Sequence, residues 1–166
     1  GIWGADMVKL LQKLLEEGLM DRQGLLKEPY FTKGIRIGDV LVTKEAVRAV
    51  QLAKGAIAAG IEILTESYGI RFSDISKVVL AGGFGYYLDP KAAAAIGLLP
   101  KELTDRTVTG GNTALSGAAL VGNRMLTGQL RAWDDLRRWH ELQIQILNLA
   151  EQVKFTETFL KKMDFC

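Results

Sequence analysis

The chain is short of the residues that carry most redox and metal chemistry. Among its 166 residues there is one cysteine and one histidine. Cys166, the last residue, has no intrachain partner for a disulfide. A single thiolate is also too few for an iron–sulfur cluster, and the lone His140 excludes a histidine-rich metal site. Neither sign of charge dominates. With 21 Lys and Arg against 19 Asp and Glu the net charge is +2, which argues against the basic footprint of a nucleic-acid binder. No apolar run reaches the roughly 18 residues that a membrane helix needs. No charged-then-apolar signal segment opens the chain, so a reducing cytoplasm is the expected compartment. The chain begins at Gly1 rather than Met, and reads as a piece of a longer protein.

Apolar residues make up 48% of the chain. That suffices for the core of one domain, or of one lobe of a larger one. The organising stretch is residues 77–90. Val78, Val79 and Leu80 form a short apolar run that leads into Ala81-Gly82-Gly83-Phe84-Gly85. Asp89 and Pro90 then open a helix, as N-cap and first helical residue. A buried strand that runs into glycines and a helix start brings backbone close to a phosphate or a nucleoside. Without a Cβ, glycine lets a ligand lie against the peptide plane. The alternative is a tight turn with no ligand. No glycine stands three residues beyond Gly85, so this is not a dinucleotide fingerprint. The arrangement recurs after a second strand candidate at residues 106–109. Gly110 and Gly111 lead to Asn112 or Thr113 as the cap of a helix running to Leu126. At one edge of a parallel sheet the two turns would face a common crevice; otherwise the same turn chemistry has simply been used twice.

The remaining elements follow from periodicity. Residues 2–19 predict a helix with Met7, Leu10, Leu11, Leu14 and Leu15 on one face. Ile35, Ile37, Val40 and Val42 predict one or two antiparallel strands. Residues 43–67 predict the longest helix, capped by Thr43 and stopped by Gly69. One stripe of it carries Val47, Val50, Lys54, Ile57, Ile61, Leu64 and Tyr68. A second carries Ala46, Ala49, Ala53, Ala56 and Gly60. Lys54 is out of place among apolar neighbours, since a buried ammonium needs a partner. It is either a lysine that snorkels at the core edge or one that faces a ligand together with Gln51. Residues 129–141 predict a helix anchored by Leu130, Trp133 and Leu136, 144–149 a strand, and 156–163 a closing helix.

In their order, several motifs resemble the C-terminal actin-like domain of the reductive activators of corrinoid proteins. That family lies in the superfamily of acetate and sugar kinases, heat-shock chaperones and actin. The motifs are Gly1-Ile-Trp-Gly4, Gly18-Leu-Met-Asp-Arg-Gln-Gly24, Val50-Gln-Leu-Ala-Lys-Gly-Ala56, Val79-Leu-Ala-Gly-Gly-Phe-Gly85, Ile96-Gly-Leu-Leu-Pro100 and Gly111-Asn-Thr-Ala-Leu-Ser-Gly-Ala118. The resemblance implies an α/β, ribonuclease-H-like lobe of an actin-like ATPase, with a mixed sheet flanked by helices. Residues 1–166 would form this single C-terminal lobe, and ATP would lie between it and an upstream lobe. It further implies that Gly82, Gly83, Phe84 and Gly85 form the adenosine-contacting turn. Gln51 and Lys54 would stand on the helix that reaches the ribose, and Asn112 near the nucleotide. Mg²⁺ would be held in the full-length protein, largely by the other lobe. An iron–sulfur domain elsewhere would pass electrons to a Co(II) corrinoid protein, which restores it for methyl transfer. The family opening reads Gly-Ile-Cys-Gly-Ser-Gly, whereas Trp3, Ala5 and Asp6 stand here. This departure argues against a phosphate contact at the first helix.

Two other function classes compete. One is a module that docks the corrinoid protein, or forms a homodimer, without binding nucleotide; Tyr86 and Tyr87 would be anchors. The other is a small-molecule kinase or dinucleotide-dependent oxidoreductase. A Rossmann enzyme needs an acidic residue about 20 residues past its glycine loop, where only Asp105 is available.

Overall fold

The computed structural model describes residues 4–129 and 144–166. Leu130, Trp133, Leu136 and His140, and with them nearly all of the helix expected at 129–141, lie outside the described residues, as does Trp3. Helix α1, Gly4–Glu16, buries Ala5, Val8, Leu11 and Leu14, which recur every three residues and so share one face. Strands β1, Ile35–Ile37, and β2, Val40–Val42, form an antiparallel hairpin in which Ile35 faces Val42 and Ile37 faces Val40. Its two-residue loop carries Gly38 at φ +56°, the positive value that such tight hairpin turns require. Helix α2, Lys44–Ser67, is capped by Thr43, whose Oγ1 accepts from the Ala46 N–H at 3.3 Å.

The second half is built on a parallel pair. Strand β3, Val78–Ala81, lies beside β4, Thr107–Gly111. The guanidinium of Arg106, one residue before β4, donates to the carbonyls of Phe72, Ser73 and Ile75 at 3.1, 2.9 and 2.8 Å. It ties the approach to β3 to the start of β4. The glycine stretch after β3 is itself a short helix, α3, Gly82–Tyr87, which precedes α4, Pro90–Ala95. Asp89 caps α4 as expected, its Oδ1 accepting from the Lys91 N–H at 2.9 Å. Helix α5, Thr113–Leu126, follows β4, and α6, Phe155–Met163, closes the described chain. The fold is α/β with small sheets flanked by helices. Among the described residues the strands form two separate two-stranded sheets rather than one mixed sheet. No described helix is long and apolar enough to cross a membrane.

Two expectations are corrected. Residues 144–148 are not a strand; Ile144 and Ile146 are exposed, and a short 3-10 turn, Leu149–Glu151, follows. Asn148 initiates that turn by accepting the Ala150 N–H at 3.2 Å, a local bond that competes with strand pairing. On α2, the large residues Ile57, Leu64 and Tyr68 face outward, while Val47, Gln51, Lys54, Gly55, Ala58, Ala59 and Ile63 are buried. The reason lies in α6. A Cβ on Gly55 would stand 3.2 Å from Met163 and 3.4 Å from Phe159, so the two helices meet across small residues and the bulky ones are left outside.

The main core gathers Val8, Leu11 and Leu14 of α1 with Ile35, Val42 and Val47. Ala92 and Ala93 of α4, Met20, Leu26, Leu88, Ile96, Leu98, Leu99 and Phe165 also belong to it. None of the residues of α5 is buried. The packing of α2 inverts what side-chain size suggests. Ala59→Leu, at a position with 0% exposure, is expected to destabilise the chain by about 1–3 kcal/mol through overpacking. Leu64→Ala, at 53% exposure, is expected to stay within about 1 kcal/mol. Urea denaturation of both variants checks this.

Candidate functional site

The parallel register brings the two glycine turns to one edge. Val78 pairs with Thr107, Val79 with Val108 and Leu80 with Thr109, and then Ala81 pairs with Gly111. The shift between Leu80 and Ala81 leaves Gly110 as an extra residue on β4. Gly82 and Asn112, the residues that follow this last pair, therefore leave the sheet side by side. The glycines divide by role. Gly82 takes φ +81° and Gly111 φ +67°, conformations that other residues rarely adopt. Gly85 and Gly110 serve packing. A Cβ on Gly85 would lie 3.0 Å from the Leu80 carbonyl carbon, and one on Gly110 would lie 2.8 Å from Val79. Above Gly82 and Gly83 nothing stands within 4 Å of where a Cβ would be.

The aromatic and polar neighbours are placed as follows. The half-exposed Phe84 packs its ring on Gly4 of α1, 3.0 Å from the position of a Cβ there. Tyr86 lies along Gly111 at 3.5 Å by the same measure and meets Tyr87 edge to face, with ring centroids 4.8 Å apart. Asn112 caps α5, its Oδ1 accepting from the Leu115 N–H at 3.0 Å.

Gln51 and Lys54 belong to a different neighbourhood. Gln51, 4% exposed, donates from Nε2 to the Gln23 carbonyl at 2.9 Å. Lys54 is 1% exposed and donates to the Asp164 carbonyl; its Nζ also sits 5.2 Å from the centroid of the Phe165 ring. Burial lowers the Lys54 pKa to about 8, against the opposing pull of Cys166 and Asp164. Lys54 lines a cleft of about 850 Å³ with Arg22, Phe72, Gly97, Lys101 and Phe165. Gly82, Gly83, Gly85, Gln51 and Asn112 are not among its walls. Sequence reasoning missed Gly97 and residues 164–166 as the neighbours of Lys54. The misplaced charge was the only signal of them, because spacing along one helix cannot name a partner 110 residues away.

This geometry belongs to an α/β domain of the ASKHA class. Over residues 1–166 the chain matches the family model described as the C-terminal domain of RACo, the ASKHA domain, and it belongs to that family. It is 49% identical over 82 residues to the corrinoid activation enzyme RamQ of Eubacterium limosum; the match covers 49% of this chain and 14% of RamQ. Among solved structures it is similar to a reductive activator for a corrinoid, iron–sulfur protein. The TM-score is 0.78 at 26% identity, over 99% of this chain and 28% of that one. The matched part is thus less than a third of either relative.

Two outcomes follow from the site. Gly85→Val is expected to destabilise the chain by about 1–3 kcal/mol, because the new side chain meets backbone that cannot swing away. Thermal unfolding measures it. The second concerns Lys54. Below pH about 8 the ammonium is charged in both folded and unfolded chains, and the folded state bears the full burial cost. From there to 10.5, the ordinary lysine value, only the unfolded chain keeps the proton. The unfolded state then binds more protons, so the stability contributed by this residue rises with pH across that window. Urea titrations at both ends are expected to show wild type gaining stability relative to Lys54→Met as pH rises.

Proposed function

We propose that this chain is the ATP-binding lobe of a protein that reductively reactivates Co(II) corrinoid proteins for methyl transfer. The observation that carries the reading is the β3–β4 edge. The register that pairs Ala81 with Gly111 sets two glycine turns side by side, and the space above Gly82 and Gly83 is open. A flat nucleoside fits such a surface. The backbone of Gly82, Gly83 and Gly111 would hold it, with Asn112 and the exposed rings of Phe84 and Tyr86 at its rim. Gly85 supports the turn from behind. Gln51 and Lys54 enter the proposal as residues that brace the lobe, since both have protein partners.

The rest of the site belongs to the rest of the protein. Among the described residues no group of three or more His, Cys, Asp or Glu side chains could hold a metal ion. Mg²⁺, which screens the phosphates in phosphoryl chemistry, would take its ligands from an upstream lobe. The chain's one cysteine cannot hold a cluster, so the electron would come from an iron–sulfur domain elsewhere in the polypeptide. That electron converts Co(II) to Co(I). Nucleotide helps only to the extent that it binds one conformational state better than another. The corrinoid protein as partner is supported by the names of both relatives. The exposed apolar side chains of Val79, Val108, Leu115 and Leu120 suit an inter-lobe contact beside the nucleotide.

Gly83→Val tests the reading in the full-length protein. Its side chain would project into open space, so stability is expected to change by about 1 kcal/mol or less. Affinity for a non-hydrolysable ATP analogue is expected to fall at least about tenfold, roughly 1.4 kcal/mol, by calorimetry. Unchanged affinity in the folded variant would remove the nucleotide from this turn. Binding of the corrinoid protein with no response to nucleotide would favour a docking module instead.

A further inference from the structure

Two nucleophilic side chains that the nucleotide reading leaves without a chemical role stand together at the Gly97 turn. We propose that Cys166 and Lys54 form an oxidant-responsive pair. A peroxide converts the Cys166 thiol to a sulfenic acid, and the Lys54 amine then captures it in a reversible sulfur–nitrogen bond. That bond would tie the middle of α2 to the segment after α6.

Gly97 brings the two atoms within reach. The place of a Cβ on Gly97 lies 2.7 Å from Cys166 Sγ and 3.2 Å from Lys54 Nζ. Both atoms therefore border one small volume, which a side chain at this position would fill. Gly97 takes φ +77°, a conformation that other residues rarely adopt, so the gap is built into the turn. Of the charges that act on Lys54, that of Cys166 is the strongest, as immediate neighbours require.

The pair is fixed on one side and open on the other. Lys54 is 1% exposed, and its ammonium donates to the Asp164 carbonyl. Among the described residues no ion pair joins it to a carboxylate. Phe165 is buried in the main core, and its N–H and carbonyl bond to Arg22 at 2.7 and 3.2 Å. A fixed main chain thus holds the sulfur over Gly97. Cys166 itself is exposed. It lines the cleft of about 850 Å³ and a second of about 500 Å³ beside α1 and α4. An oxidant can reach the sulfur from solvent, while the amine stands behind it on the buried side.

The Cys166 thiolate attacks one oxygen of the peroxide. The O–O bond breaks and the S–O bond of the sulfenic acid forms. The leaving hydroxide takes a proton from the Lys54 ammonium and becomes water, which leaves Lys54 as the neutral amine. The amine nitrogen then attacks the sulfur and the S–O bond breaks. The hydroxyl departs with one amine proton as a second water. Sulfur has lost two electrons and the peroxide has gained them. Burial assists the capture: with a pKa of about 8, Lys54 is neutral far more often near neutral pH than an ordinary lysine. Attack of a small thiol on the sulfur releases the amine, and a second thiol restores Cys166. Capture would spare the sulfur the irreversible sulfinic and sulfonic stages.

A non-reducing peptide map of the full-length protein after mild peroxide treatment tests this. Trypsin cannot cut at a bonded Lys54. It is expected to leave residues 49–71 joined to the peptide that holds Cys166, about 2 Da lighter than the two together. Dithiothreitol is expected to remove this species and return the free thiol. The same treatment in urea is expected to yield at least about tenfold less of it, because only the fold brings the two residues together. Lys54→Arg keeps the charge without the lysine amine, and is expected to carry Cys166 on to sulfinic acid. Normal cleavage at Lys54 with Cys166 unmodified, as sulfinic acid or in an interchain disulfide would overturn the proposal. So would an equal yield in urea. Where Lys54→Arg does not fold, the wild-type and urea arms decide.

Discussion

A charged group in the middle of the longest helix sets the terms for one whole side of this molecule. Lys54 sits where α2 is buried, and an ammonium taken out of water must be given partners or lose its proton. The fold supplies them from far away in sequence. Asp164 offers a carbonyl and Phe165 a ring face, while Gly97 makes room. Gln51, one turn earlier, does the same work toward Gln23. Through these two polar side chains α2 is joined to the turn after α1 and to the end of the described chain. Apolar packing alone would not specify that arrangement so narrowly. Burial of the ammonium is what lowers its pKa.

The molecule is consequently of two kinds. The part around α1, the hairpin, α4 and the first half of α2 is closed and buries its apolar faces within itself. The part made by β3, β4, α3 and α5 is open. A lone pair of parallel strands is not a stable unit, and here Arg106 does by hydrogen bonding what a third strand would ordinarily do by pairing. The glycine turns stand on this open part, where backbone remains accessible.

The sequence made the local elements legible and the long-range ones obscure. Thr43, Asp89 and Asn112 were readable as caps because each makes a bond within three residues of itself. The two strand–glycine–helix units were readable for the same reason. That both would lie at one edge followed only if the strands were parallel neighbours, which they are. The buried face of α2 was read in part: Val47 and Lys54 are buried as their stripe predicts, but Ile57 and Leu64 face outward, and in the stripe of small residues Gly60 is buried while Ala49 and Ala53 are exposed. Helix-to-helix contact through glycine and alanine leaves little trace in hydropathy. Residues 144–149 read as a strand from composition, but a strand needs a neighbour, and no described residue provides one.

The extra residue Gly110 has a consequence for the height of the two turns. Were β3 and β4 paired without the register shift, Ala81 would stand opposite Gly110 and the second turn would begin one residue farther out. A residue in a strand spans about 3.3 Å, close to the thickness of an aromatic ring. The irregularity between Leu80 and Ala81 removes that step, so the two turns leave the sheet level with each other. A planar guest could then rest on both at once instead of tilting against the taller one. The bulge thus absorbs the extra glycine, and the sheet edge stays even.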